Sequence, residues 1–221
     1  MTSLTATGLY QRFGGRELFN GLSFSLPAGT ITVIKGPNGS GKSTLLLVAA
    51  HLLRPDAGDV TLAIDGAAVS AACHRAHVAM AAPEMNLYPR LSALENLRFF
   101  AGLRDKKLSS TDEASLLSRV GLLPKDAARS LGELSTGMKW RVKLAIMIAS
   151  DTDLWLLDEP GANLDDAGRM SMSEEINMAR SSGKIVLVAT NDAKEEGAAN
   201  AVIRLGESPA CIFEGDCKRQ P

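Results

Sequence analysis

Residues 36–43 read Gly36-Pro37-Asn38-Gly39-Ser40-Gly41-Lys42-Ser43, with the spacing G-x-x-x-x-G-K-S. An apolar run, Ile31-Thr32-Val33-Ile34, leads in, and Thr44-Leu45-Leu46-Leu47-Val48-Ala49-Ala50 leads out. This order commits the stretch to strand, Gly-rich turn and helix, the setting in which such a pattern cradles phosphate. The glycines let the backbone curl with its N–H groups turned inward. The opening helix, with Thr44 in its first turn, adds the positive end of its dipole. Lys42 reaches terminal phosphates, and the Ser43 hydroxyl is placed to ligate Mg²⁺.

The remaining pattern is ordered along the chain. Residues 1–35 read as short strands, punctuated at Gly14-Gly15 and Pro27-Ala28-Gly29. A helix is predicted over 44–53, ended by Arg54-Pro55-Asp56-Ala57-Gly58. Strands are predicted at 60–64 and 77–82. From 92 to 150 the pattern turns helical, opening with the capping box Ser92-x-x-Glu95. The apolar runs 154–157 and 185–189 read as buried parallel strands, and the helix predicted at 162–180 between them completes a βαβ unit. Residues 207–221 are polar and weakly patterned. The order is a β-rich start, a phosphate loop, a helical insertion and β/α units, an α/β chain.

Bulk properties narrow the function classes. With 221 residues, 45% of them hydrophobic, the chain can bury a sizeable core. Its 24 basic residues nearly balance 25 acidic ones, so no global charge argues for nucleic acid. Cys73, Cys211 and Cys217 imply no disulfide framework and favour a reducing compartment. The start, Met1-Thr2-Ser3-Leu4-Thr5-Ala6, lacks the charged and apolar regions of a signal peptide. No apolar run approaches the ~20 residues of a membrane span. Action at a membrane is therefore expected from the cytoplasmic surface, through a partner.

Two further motifs carry chemistry. Leu154-Trp155-Leu156-Leu157-Asp158-Glu159 is an apolar strand ending in two carboxylates. Asp158 is placed to hold Mg²⁺, and Glu159 to act as general base on an attacking water. The plainer reading, an exposed Asp-Glu pair in a turn before Pro160, conflicts with the apolar residues leading into it. Leu134-Ser135-Thr136-Gly137-Met138 precedes a helical run, and its N–H groups and hydroxyl make an anion site. By itself it is better read as an ordinary N-cap.

Together these segments resemble the ATP-binding subunits of ABC transporters across nearly the whole chain. The loop 36–43 is similar to their Walker A, 154–159 to Walker B, 134–138 to the Leu-Ser-Gly-Gly-Gln signature, and Asn163-Leu164-Asp165 to the D-loop. The resemblance implies one domain over 1–221. It would have a RecA-like P-loop NTPase core, an N-terminal antiparallel β subdomain and a helical ABC-specific subdomain near 86–150. It implies two cassettes, identical or related, sandwiching two ATP molecules head to tail. Ser135 and Gly137 would then address the γ-phosphate held by the other subunit's Lys42, and Phe13 would stack on adenine. A core position is the alternative for Phe13. The implied activity is ATP hydrolysis driving export by a membrane permease, from the cytoplasmic face of the inner membrane and without direct insertion. Tyr88, Pro89 and Arg90 would lie near the permease contact. Within the family, Leu18-Phe19-Asn20-Gly21-Leu22-Ser23-Phe24 and Leu91-Ser92-Ala93-Leu94-Glu95-Asn96-Leu97 resemble the haem-exporter type of cytochrome c biogenesis.

The chain departs from the family pattern at several positions. Thr136 stands for the first signature Gly and Met138 for its Gln. The stretch Ala82-Pro83-Glu84-Met85-Asn86 lacks the Gln that contacts Mg²⁺ and water, and Glu84 is the nearest polar residue. Asn191 stands for the switch His. An amide can donate to the γ-phosphate but cannot become cationic; Asn191 also stands where it would cap a helix predicted over 192–199. The expected assignment is therefore Glu159, Lys42 and Asn191 for catalysis, and Ser43, Asp158 and Glu84 for Mg²⁺. The rival is a soluble or binding-only regulatory cassette with slow or no turnover. Cys73-His74-Arg75-Ala76-His77 lacks a second ligand cluster and is read as a connector rather than a metal site.

Overall fold

The computed structural model describes residues 1–162, 164–197, 199–206 and 213–215, with backbone only for 193, 194 and 213–215. Asn163, Cys211, Cys217 and most of the stretch 207–221 lie outside the described residues.

The N-terminal strands are long. β1 (Ser3–Phe13) and β2 (Arg16–Pro27) pair antiparallel from Ser3↔Pro27 to Phe13↔Arg16, turning at Gly14 and Gly15. The sequence pattern predicts short strands here instead. Register shifts at three points let one continuous hairpin bend where that pattern is interrupted. β4 (Ala57–Ile64) pairs with β1, and β5 (Ala67–Ala68) with β4, giving a sheet in the order β2-β1-β4-β5.

The second sheet has the order β10-β9-β3-β8-β7-β6. Its strands are β3 (Ile31–Lys35), β6 (Val78–Ala81), β7 (Leu154–Asp158), β8 (Ile185–Ala189), β9 (Ala201–Arg204) and β10 (Phe213–Gly215). All its pairings are parallel except β10 with β9. Both faces are covered, so the central strands read as unbroken apolar runs. Leu154, Leu156, Ile185 and Leu187 face the N-terminal sheet and α1 (Lys42–Ala49). Trp155, Leu157, Val186 and Val188 face the helices on the other side. Each such buried side chain contributes roughly 1.5–3 kcal/mol.

Those helices are α3 (Ala93–Gly102), α4 (Ser110–Arg119), α5 (Pro124–Ala127), α6 (Thr136–Ser150) and α7 (Asp166–Ser181). The capping box at Ser92 and Glu95 forms as expected, and a second forms at Ser109 and Asp112. Asn96, fully buried, ties the chain entering α3 by accepting from Tyr88 N–H (2.8 Å) and donating to the carbonyls of Tyr88, Leu91 and Ser92. α6 packs on α3, α4 and β6, joining the helical segment to the sheet.

Helix limits move from the sequence expectation where local chemistry decides them. α1 begins at Lys42 and ends at Ala49, because His51 turns the chain at φ 55°. α7 begins at Asp166 rather than 162, because Asp165 caps it by accepting from Gly168 N–H at 2.9 Å. The connector into β6 carries a short helix, α2 (Ala71–His74). His74 is fully buried there, its Nε2 bonded to the Ala49 carbonyl (2.8 Å) and its ring stacked on His51 at 3.6 Å. Among the described residues no helix is long and apolar enough to cross a membrane.

Candidate nucleotide site

Parallel register assembles the site. Ile34 pairs with Ala189, Ala189 with Asp158, and Leu157 with Ala81. The strands therefore end together, and their outgoing loops emerge at a single sheet edge. That edge receives the phosphate loop after β3, Thr190 and Asn191 after β8, Asp158 and Glu159 at β7, and Ala82 to Glu84 after β6. The crevice beyond the carboxyl ends of such strands is where α/β sheets hold ligands.

The loop is closely built. A Cβ on Gly36 would run into the Leu205 carbonyl and the Ser40 hydroxyl. Gly41 sits at φ 100° as the N-cap of α1, against Leu18. Pro37 accepts from Ser40 N–H at 3.1 Å, while Asn38 and Gly39 form the exposed outer turn. Lys42 is buried, and its ammonium donates to the carbonyls of Gly36 (2.8 Å) and Pro37 (3.4 Å), inside the curl. Ser40 Oγ is buried without a protein partner. A glycine-lined cradle holding a cation and an orphaned hydroxyl fits a polyphosphate.

Asn191 joins this loop. With both ends of its amide satisfied, Nδ2 donates to the Gly36 carbonyl (2.8 Å) and Oδ1 accepts from Lys42 Nζ (3.3 Å). The side chain thus faces the phosphate loop rather than the next helix, α8 (Ala193–Gly197). That helix is shorter than the predicted 192–199, and it is Thr190 Oγ1 that accepts from Asp192 N–H, at 2.9 Å.

Asp158 is buried, with the Ser43 hydroxyl beside it. Burial raises its pKa; the Ser43 hydroxyl and Lys42 oppose that rise, while the charges of Glu84 and Glu159 add to it. Glu159 stands at φ 47°, unusual for a residue with a side chain, and its N–H bonds the Ala189 carbonyl at 2.8 Å. That backbone costs about 1–2 kcal/mol. It turns the chain sharply at the strand end, a place where strain accompanies function. Among the described residues no three His, Cys, Asp or Glu side chains converge as a metal cage. Oxygen donors from Ser43 and Asp158, with the Glu84 charge nearby, fit Mg²⁺, which takes its remaining ligands from phosphate and water.

Two predicted contributors stand apart from this cluster. Ser135 is exposed as the N-cap of α6, its hydroxyl accepting from Met138 N–H at 3.2 Å, with Thr136 exposed and Gly137 half-buried beside it. Phe13 is 78% exposed at the tip of the β1–β2 hairpin, so it is not a core residue. It lines a shallow groove with Tyr10, Arg12, Gly14, Gly15 and Asp56. The same hairpin brings Arg16 to the loop, its guanidinium 3.8 Å from where a Gly39 side chain would begin.

Arg16 and Lys143 are not singled out by the sequence motifs. Lys143 is a buried lysine whose ammonium donates to the carbonyls of Ala82 (2.6 Å) and Pro83 (3.0 Å). Its signal is a charge inside the apolar run Val142-Lys143-Leu144-Ala145-Ile146. Arg16 offers no such signal, because hairpin arginines are ordinary.

Comparison with known proteins agrees with this geometry. A family model described as ABC transporter matches residues 19–162. The cytochrome c biogenesis ATP-binding export protein CcmA of Paramagnetospirillum magneticum is 40% identical over 80% of this chain and 82% of its own. The protein of the same name from Brucella abortus is 37% identical over 85% of each chain. A solved dimeric ATP-binding cassette in a post-hydrolysis state, with ADP and phosphate, superposes with a TM-score of 0.83 at 22% identity, covering 96% of this chain and 98% of that one. That likeness speaks for the fold. The chain belongs to the ABC transporter family, as an ATP-binding ATPase subunit.

Proposed function

We propose that this chain binds ATP with Mg²⁺ at the sheet edge and hydrolyses it with Glu159 as general base. The free energy drives export by a permease, from the cytoplasmic face of the inner membrane. The observation that carries the reading is buried Asp158, with the Ser43 hydroxyl beside it, at the sheet edge where the buried Lys42 ammonium is held inside the glycine loop. Phosphate and ion positions then share one crevice. Lys42 and the free backbone N–H groups within residues 36–44 hold the phosphates, and Phe13 offers its exposed face to adenine. Ser43 and Asp158, with Glu84 beside them, would hold Mg²⁺, which when bound neutralises charge on the phosphate oxygens. Glu159 orients and deprotonates the attacking water. Asn191 donates a neutral hydrogen bond toward the γ-phosphate. Ser135 and Gly137 complete the site of the partner cassette, head to tail. Residues 1–221 act as a single ATPase domain whose helical part, 86–150, receives the permease, with Tyr88 near the contact.

The cargo belongs to cytochrome c biogenesis, with a haem-exporter-like role. The names of the relatives and their shared coverage support this reading. Deleting the gene in its source organism tests it. Loss of holo-cytochrome c, restored by the native gene but not by Glu159→Gln, is the expected outcome, together with co-purification of a multispanning membrane protein. Normal cytochrome c in the deletion strain would reject the cargo. Absence of ATP turnover by the purified complex would favour a binding-only cassette.

A further inference from the structure

We infer that Lys143 is a positioning residue, joining the signature helix α6 to the loop that carries Glu84. The inference rests on the proposed placement of Glu84 at the ion and water end of the site.

Lys143 is 7% exposed, between buried Val142 and Leu144 on a helix packed against β6 and α3. A buried ammonium is costly, and an apolar side chain would fill a helix position there without that cost. The charge is met by two aligned carbonyls, Ala82 and Pro83, the residues immediately before Glu84. Burial lowers the lysine's pKa, and the Glu84 carboxylate acts against that shift. The Glu84 charge acts in turn on Asp158. Lys143 therefore fixes the backbone from which Glu84 projects and supplies a positive charge behind it.

The other end of the same helix is Ser135. From Thr136 to Lys143 is seven residues, about 11 Å of rigid helix. A displacement of the Ser135 end, on meeting a partner's nucleotide, moves Lys143 and the two carbonyls it holds. Glu84 then shifts relative to Asp158. The lysine thus links engagement of the second cassette with the geometry at the ion-binding end of the chain's own crevice.

The test uses the purified full-length subunit with Lys143→Met, Lys143→Arg, Glu84→Gln and the Lys143→Met/Glu84→Gln pair. Measured quantities are kcat, the Mg²⁺ concentration giving half-maximal turnover, affinity for a fluorescent ATP analogue in EDTA, and thermal unfolding. Lys143→Met should lower kcat roughly tenfold and raise the Mg²⁺ half-point several-fold, with affinity in EDTA unchanged. Lys143→Arg should stay within about threefold of the native kcat, and in the Glu84→Gln background Lys143→Met should cost less than about twofold. A folded Lys143→Met with native kcat and Mg²⁺ dependence overturns the inference, as do losses that multiply fully with Glu84→Gln. Should Lys143→Met not fold, Lys143→Gln, which keeps a donor without the charge, carries the same measurements and the same outcomes. If Glu84→Gln alone changes neither kcat nor Mg²⁺ dependence, Glu84 leaves the proposed site and the inference falls with it.

Discussion

The phosphate-loop edge and the signature end of α6 are built in opposite ways. At the loop edge polar groups, Ser40 Oγ apart, are cross-bonded before any ligand is considered. Lys42 holds Gly36, Asn191 holds both, and the Glu159 N–H holds Ala189. At the signature end Ser135 is exposed, and its hydroxyl is occupied by its own helix turn. One half is preorganised by a sheet whose register is fixed. The other is a helix terminus whose free N–H groups face outward. On the proposed reading a single chain binds nucleotide with the first half, whereas the second gains its function when another chain brings phosphate to it.

The sharpest way to break this contrast is to remove the proposed base from the preorganised half. Glu159→Gln should reduce turnover by a factor of about 10² or more while ATP binding persists and an ATP-bound dimer accumulates. Near-native turnover, monitored by phosphate release, would remove Glu159 from the role.

The next test addresses the outward-facing half. Ser135→Arg puts bulk and charge at an exposed helix start. It should leave ATP affinity of the isolated subunit within about twofold and abolish the ATP-dependent dimer in the Glu159→Gln background. Size-exclusion chromatography with light scattering reads the result. A dimer that forms equally well would mean that the two halves do not meet head to tail.

Asn191→Ala probes a smaller contribution inside the preorganised half. A neutral amide gives about half the strength of a charge-assisted bond, so turnover should fall by a factor on the order of 10 with binding largely intact. If the variant melts earlier yet turns over ATP at the native rate, Asn191 serves only to hold the loop.

The smallest effect concerns what braces that half from behind. His74 ties α2 to the end of α1, and burial lowers its pKa below the ordinary histidine value of 6.5. The folded state thus resists a proton that the unfolded chain accepts, so stability is full above 6.5 and falls as pH drops below it. His74 should contribute a slope of at most about 1.4 kcal/mol per pH unit there. His74→Gln should flatten the fall in denaturant midpoints on going from neutral to mildly acidic pH. An unchanged slope would show that other groups carry the acid sensitivity.

The motifs are legible in the sequence because each is local. The loop at 36–43, the strand 154–158 and the Ser92–Glu95 cap are set by a few neighbouring residues. The hairpin at 3–27 is less legible, since its bulges interrupt the alternation that marks a strand. Ser135, taken alone, reads as an ordinary N-cap before it reads as an anion site, and it is an N-cap in the single chain. Phe13 reads equally as core or surface, because one aromatic in a strand carries no periodic signal; packing leaves it at the hairpin tip.

The sequence by itself determined that a phosphate cradle, an acidic strand end and a helical insertion exist, and in what order. These depend on glycine conformations, short-range capping and apolar runs. Only the tertiary structure decided that Asn191 bonds the loop and that Lys143 grips the carbonyls before Glu84. It likewise decided that Ser43 meets Asp158, more than a hundred residues away. Those contacts arise because β6, β7, β8 and β3 lie in parallel register, Ala81 beside Leu157, Asp158 beside Ala189 and Ala189 beside Ile34. Register across strands distant in sequence is fixed by burial of both sheet faces at once, a condition no local pattern contains.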